Sequence, residues 1–260
     1  MTADPNTPEG AAQLFGRLNE EERAALRELH DETRAHGRTG LAAAKAAQDT
    51  VGQANGSAAA HLAAVHMGMA EFLQVAYRAS YDNALADRLI KPVACTSGCA
   101  FCCYLSVEVT IFGAVAIASF IAASRPDFAQ PVRDTAPKVA GLSALQRSAR
   151  QVACAFLQKD NTCGIYAVRP MSCGAYFSFD ASVCEQDRKT GGTSGNIPVY
   201  GWPGVLNSMI TGGLSAACED EGLQSCTVEL LSAVALILDD STAVPRWLAG
   251  QQVFTPYRHV

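Results

Sequence analysis

The chain has 260 residues, of which 49% are apolar and 17% charged, a composition that excludes a disordered protein and suffices for one large or two small globular domains. Its formal charge of −5 leaves no basic excess for general nucleic-acid or anionic-membrane binding, so neither is expected as a partner. The opening Met-Thr-Ala-Asp-Pro-Asn has neither a basic n-region nor an apolar h-region, and the expected compartment is the reducing cytoplasm.

Residues 1–18 carry Pro, Gly and Asn and read as a loose lead-in. Asn19 with Glu22 three residues on forms a capping-box signal for a charged helix to about Arg34, with Glu20–Arg23 as its solvated face. Gly37 and Gly40 are expected to break that helix. From about Ser57 to Leu89, Leu62, Val65, Met69, Phe72 and Ala76 recur at spacings of three and four, which predicts one face of a long helix ended by Lys91-Pro92. Val107 and Val109 alternate over a short extended stretch. Thr110 then caps an apolar helix over Ile111–Ala123, too short to span a bilayer, which needs roughly 20 residues. A further helix is expected from about Pro131 to Val152. Residues 154–203 read as loop, and a loop that long needs an added constraint, such as metal–thiolate bonds, to stay ordered. Helices at about Pro203–Asp220 and Thr227–Leu238 and a turn around Trp247 close the chain. The expected fold is mainly α, with long helices packed around an irregular cysteine-rich metal-binding core and few short strands. The expected divisions are an N-terminal helical region (1–91), a cysteine-cluster domain (92–202) and a C-terminal helical segment (203–260).

Chemistry is signalled by the cysteines. Four lie within nine residues, Cys95-x3-Cys99-x2-Cys102-Cys103, and Cys154, Cys163, Cys173 and Cys184 follow. Thiols at such spacing are ligands of zinc, iron–sulfur clusters and copper(I), and clustered cysteines in a reducing compartment more often bind metal than form disulfides. One reading is a zinc site, with Cys99 and Cys102 as one ligand pair completed by Cys154, Cys163 or Cys173. A second is an iron–sulfur cluster. Cys-x3-Cys-x2-Cys also matches the radical-SAM motif, but no strand–helix alternation follows it to build that barrel. A third reading, buried unligated thiols, suits Cys218 and Cys226 and suits the crowded eight poorly. Adjacent Cys102 and Cys103 are expected to point apart and so to serve two metals, or one metal and a second role.

The two-part pattern resembles the YkgJ-type cysteine-cluster family. It comprises the first four cysteines, then Cys154-Ala-Phe-Leu, Cys163-Gly-Ile-Tyr166 and Arg169-Pro170-Met-Ser-Cys173, and spans roughly residues 92–185. The family's domain is described as zinc- or iron-chelating, and the flagellin lysine N-methylase is an enzyme-bearing relative. The resemblance implies Cys95, Cys99, Cys102, Cys103, Cys154, Cys163 and Cys173 as metal ligands, with Cys184 as an eighth. Gly174 stands where that family usually carries an arginine, whereas Arg169 and Pro170 match. A cation there offsets the excess negative charge of metal-bound thiolates.

Other candidates carry less. His61 and His66 lie five apart, not at the three or four that would bring them to one helical face as ligands. Met67 and Met69 fit core filling. Tyr166, Tyr176, Phe177 and Phe179 are expected to shield the metal site. Asp180 and Glu185 are loop carboxylates, and neither Gly191-Gly192 nor Gly212-Gly213 has the form of a phosphate loop. The expected function is metal binding, with an iron–sulfur cluster or Zn²⁺ as cofactor. The alternatives are a metal-cluster enzyme modifying a protein or peptide substrate, such as a SAM-dependent lysine N-methylase, and a metal storage or delivery protein.

Overall fold

The computed structural model describes residues 18–49, 56–193, 197–225 and 227–256. Apart from Leu18, the expected lead-in lies outside them, as does Cys226. Two long helices open the described chain, α1 (Glu20–Asp49) and α2 (Gly56–Ala86). After the first four cysteines come β1 (Glu108–Thr110), α3 (Ile111–Ser124), α4 (Ala129–Val139) and α5 (Ala144–Arg150). Short helices α6 (Met171–Gly174) and α7 (Ala181–Lys189) punctuate the second cysteine segment. The described chain then runs through α8 (Trp202–Asp220), β2 (Thr227–Glu229), α9 (Leu230–Asp239) and α10 (Ala243–Leu248). The fold is mainly α. Its one sheet among the described residues is β1 against β2, antiparallel, with Val109 opposite Val228.

Local signals set several boundaries. Asn19 Oδ1 accepts from the Glu22 amide at 2.9 Å, and Glu22 Oε2 accepts in return from the Asn19 amide at 2.8 Å, closing the capping box of α1. Thr110 caps α3 through the Gly113 amide at 3.2 Å. Nine of the fourteen residues of α3, Ile111–Ala118 and Ile121, are buried, because α2 and α9 cover them. Among the described residues no single helix is long and apolar enough to cross a membrane.

Tertiary contacts override other expectations. α1 does not end near Arg34 but runs on through Gly37 and Gly40 to Asp49. Both glycines are points of close approach rather than breaks. A Cβ on Gly37 would stand 2.8 Å from Ala217 Cβ of α8, and one on Gly40 would stand 2.2 Å from Val65 Cγ2 of α2. The burial of two helix faces thus outweighs the helix cost of glycine, which is roughly 1 kcal/mol each. On α2, Leu62 and Val65 are buried as the spacing predicts, but Phe72 is 42% exposed and Leu73 takes its place in the core. The helix expected over 131–152 is two helices, parted at Gly141 (φ +72°), with Ser143 capping the second. Over 154–203 the expected loop contains α6 and α7. The core follows the helix succession α8–α1–α2–α3–α9–α4 and extends into the cysteine half through Phe156, Ile165, Met171 and Ala175.

His66 also belongs to this core, fully buried against Gly113 of α3. Neither ring nitrogen finds a hydrogen-bond partner of normal geometry. Burial drives its pKa down to about 4, with a weaker opposing pull from the backbone of Arg169 and Val168.

Two stability predictions follow from these contacts. Gly40→Ala should destabilise the protein by about 1–3 kcal/mol in urea unfolding, despite the better helix propensity of alanine; an unchanged or raised midpoint would show that α1 and α2 are not in van der Waals contact there. For His66, the unfolded chain takes up a proton near pH 6.5 and the folded chain only near pH 4, so stability is lost as pH falls through that window, by roughly 3 kcal/mol at most. The drop in melting temperature between pH 7 and pH 4.5 should therefore be smaller in His66→Gln than in the parent protein, and an equal drop would count against a buried neutral imidazole.

Candidate metal centre

Each cysteine is placed by an identifiable local device. The Ala94 amide donates to the Ser178 carbonyl at 2.8 Å, and the Ser178 amide points at Cys95 Sγ, 3.3 Å away. Cys99 follows a turn at Gly98 (φ +84°). Cys102 and Cys103 lie on a 3₁₀ turn, Phe101–Tyr104. The Cys154 amide donates to the Cys103 carbonyl at 2.8 Å, fastening the second cysteine segment to the first. Cys163 closes a small hairpin, paired with Leu157 and turned by Asn161 (φ +63°). That hairpin is pinned to the helical core: a Cβ on Gly164 would stand 2.0 Å from the Phe128 ring, Phe128 meets Phe156 edge to face at 5.7 Å, and Arg125 donates to the Gly164 carbonyl at 2.9 Å. Cys173 rides on α6. Cys184 rides on α7, whose N-terminus is capped by Asp180 Oδ1 accepting from the Ser182 and Val183 amides.

The fold gathers these thiols around Cys102. Its sulfur is close enough to Cys95, Cys103, Cys163, Cys173 and Cys184 for its charge to be felt at each. Cys99 lies within electrostatic range of Cys95 and Cys184, and Cys154 within range of Cys103, Cys163 and Cys173. The expected divergence of Cys102 and Cys103 is not found, because the 3₁₀ turn brings the two sulfurs into hydrogen-bonding contact. Among the described residues no three Cys, His, Asp or Glu side chains converge closely enough to hold one metal ion. The thiols are assembled but not converged.

Their electrostatics are those of crowded acids in a poorly solvated place. The hydrogen bond from Cys103 lowers the Cys102 pKa to about 7, against burial and helped by Arg169. The same bond, with burial and the neighbouring thiols, pushes Cys103 far up. Burial raises Cys154 to about 11 and Cys173 well above the ordinary thiol value, and it also raises Cys95, Cys163 and Cys184. Cys102 and Cys173 nonetheless present surface to solvent.

Two arginines missed in the sequence bear on this charge. Arg147 is 1% exposed, pairs with Glu229 at 2.8 Å and lies within electrostatic range of Cys154. Its Nε and Nη2 have no hydrogen-bond partner. Buried N–H donors left without acceptors beside a thiol fit a negatively charged sulfur there, and the eight soft donors fit zinc or iron–sulfur ligation. Arg188 stacks on Tyr104, 4.1 Å from its ring centre, beside the cavity lined by Cys102 and Cys184. Nothing in the local sequence marks Arg147, since its partners are distant in the chain.

The aromatic shield is only partly present. Tyr176 lines the cavity with Cys102 and Cys184. Phe177 packs on Tyr77 at 4.8 Å and Phe179 on Tyr200 at 6.2 Å, fastening the segment to its surroundings. Tyr166 is 64% exposed, because its 3₁₀ turn faces outward beneath Arg169. His61 is exposed and His66 buried, so they share no site. Met69 packs against the core while Met67 is exposed, Glu185 pairs with Lys189, and Cys218 is buried in the helical core.

Residues 94–191 match the model of the CxxCxxCC family, described as a putative zinc- or iron-chelating domain. The matched span holds all eight clustered cysteines and is the segment that the sequence likens to a cysteine-cluster family. No curated protein and no solved structure shows significant similarity to the chain.

In metal-free, reduced protein, Cys102 should be alkylated by iodoacetamide at pH 7.5 at least tenfold faster than Cys154. Its thiolate is present above about pH 7 and is lost as pH falls through that value, whereas Cys154 stays protonated to about pH 11. Peptide mass spectrometry reads the order of labelling, and equal rates would contradict the hydrogen bond from Cys103.

Proposed function

We propose that this protein holds a metal centre, iron as an iron–sulfur cluster or zinc, through Cys95, Cys99, Cys102, Cys103, Cys154, Cys163, Cys173 and Cys184. The observation that carries this reading is the gathering of thiols from distant segments around Cys102. Free thiols have no reason to assemble where burial and mutual repulsion oppose their ionisation. A cation removes that opposition, because metal-bound sulfur is deprotonated outright. Arg147 and Arg169 would then face thiolates and offset the residual negative charge. A metal held by thiols from both the 95–103 and the 154–184 segments would tie the two together, and its affinity would add to their stability.

The exposure of Cys102 and Cys173 favours a second reading of the same centre, metal delivery, in which an acceptor ligand reaches the bound metal directly. Slow loss to a competing chelator would speak for a fixed structural or enzymatic centre, and fast transfer for delivery.

Purification without oxygen, followed by metal and acid-labile sulfide analysis, tests the reading. Iron with sulfide and broad visible absorption identifies a cluster. Stoichiometric zinc in a colourless protein identifies a zinc site, and absence of both metals from protein that cannot be reconstituted overturns the proposal. Cys102→Ala should lose at least half of the bound metal, whereas Cys218→Ala should keep it. Chelation should open residues 95–200 to proteolysis while α1 and α2 stay protected; unchanged protection after complete metal removal would show that the centre does not organise this region.

A further inference from the structure

A groove of about 380 Å³ separates α2 from the segment that carries Cys163 and Cys173. That volume falls within the range of small-molecule sites, roughly 300–1,000 Å³. Leu73 and Met171, both buried, and Met67 and Tyr166, both partly open to solvent, make it largely apolar. Met67 is 37% and Tyr166 64% exposed, so the apolar surface continues out to the rim.

One cation, Arg169, lines this groove. Arg34, Arg125, Arg133, Arg147 and Arg246 each pair with a carboxylate, but among the described residues no carboxylate lies within ion-pair distance of Arg169. Its guanidinium rests on the Tyr166 ring, 4.3 Å from the centre, and donates one long hydrogen bond to Gln74 Oε1 at 3.3 Å. These contacts fix the plane of the guanidinium and leave most of its five donors unused. The space beside it exists because residue 174 has no side chain: a Cβ on Gly174 would stand 2.9 Å from Gln74 Nε2 and 3.5 Å from Arg169 Nε. Glu71, the carboxylate in the lining, is exposed.

We propose that the groove binds a small organic monocarboxylate with an apolar tail. The carboxylate pairs with Arg169, and the tail lies along Leu73, Met171 and Met67. Charge complementarity selects this class: an oriented, carboxylate-free guanidinium at one end of an apolar channel matches a headgroup of one negative charge and an uncharged body. Arg169 also faces Cys102, Cys163 and Cys173, so the alternative is that its charge serves the thiols alone.

Isothermal titration calorimetry of the full-length protein with octanoate, and with octylamine as the cationic control, separates the two uses. Saturable one-to-one binding of octanoate, at least tenfold tighter than octylamine, is expected. Arg169→Gln should weaken octanoate binding at least tenfold, and Gly174→Leu, which fills the groove without removing the cation, should do the same. Circular dichroism and metal content of each sample report folding and the metal centre separately, and should Arg169→Gln not fold, the Gly174→Leu result decides. No octanoate binding at millimolar concentration, equal binding of octylamine, or unchanged binding in a folded variant would overturn the groove proposal and leave the metal reading untouched.

Discussion

Eight acidic sulfurs confined to one region set the terms on which the rest of this chain is organised. A buried thiol resists ionisation, and a neighbouring thiolate makes it resist further, which is why Cys154 and Cys173 are pushed up together while Cys102, with Cys103 donating to it, is pulled down. Such a cluster gains little by collapsing on itself. It must be held in place by other parts of the structure, and the ordering entropy of its loops must be offset there too. Backbone ties do part of this, from Ser178 to Cys95 and from Cys154 to Cys103.

The helical frame does the remainder. α1 lies against α8 and α2 at glycines, and α2 and α9 enclose α3. Several contacts reach from this frame into the cysteine half, among them Tyr77 on Phe177 and two that bear directly on cysteines. Phe128 and Arg125 grip the Cys163 hairpin at Gly164, and the Arg147–Glu229 pair joins α5 to the start of α9 beside Cys154. Glu229 also caps α9 through the Ser232 amide at 2.8 Å. A buried ion pair of this kind contributes little relative to an apolar contact, yet removing one partner costs about 3–5 kcal/mol because the other is stranded. It is a rigid connection between the frame and the thiols rather than a large source of stability.

Arg169 occupies the boundary between the thiols and the groove along α2. One guanidinium facing both a set of acidic sulfurs and an apolar channel means that charge placed on either side is felt on the other. Any such coupling is reciprocal: a ligand that depends on the metal state shifts the metal equilibrium by the same factor.

What the amino-acid order determined by itself was the part of the protein governed by near neighbours. The Asn19–Glu22 capping box, the Thr110 cap, the apolar run of α3 and the mainly α character all follow from residues a few positions apart. The two-part cysteine pattern, which pointed to metal, is likewise a matter of spacing along the chain. Tertiary structure decided whatever depends on residues far apart in sequence. Gly37 and Gly40 look like helix breakers until Ala217 and Val65 lie against them, and Leu73 displaces Phe72 because the α3 side of α2 is set by packing. Asp180 reads as a free loop carboxylate until α7 forms behind it. The contact between Cys102 and Cys103, the unpaired donors of Arg147 beside Cys154, and the space that Gly174 leaves beside Arg169 arise only when separate segments meet. Spacing could say that thiols were present; only the fold could say which of them stand together, and in what field.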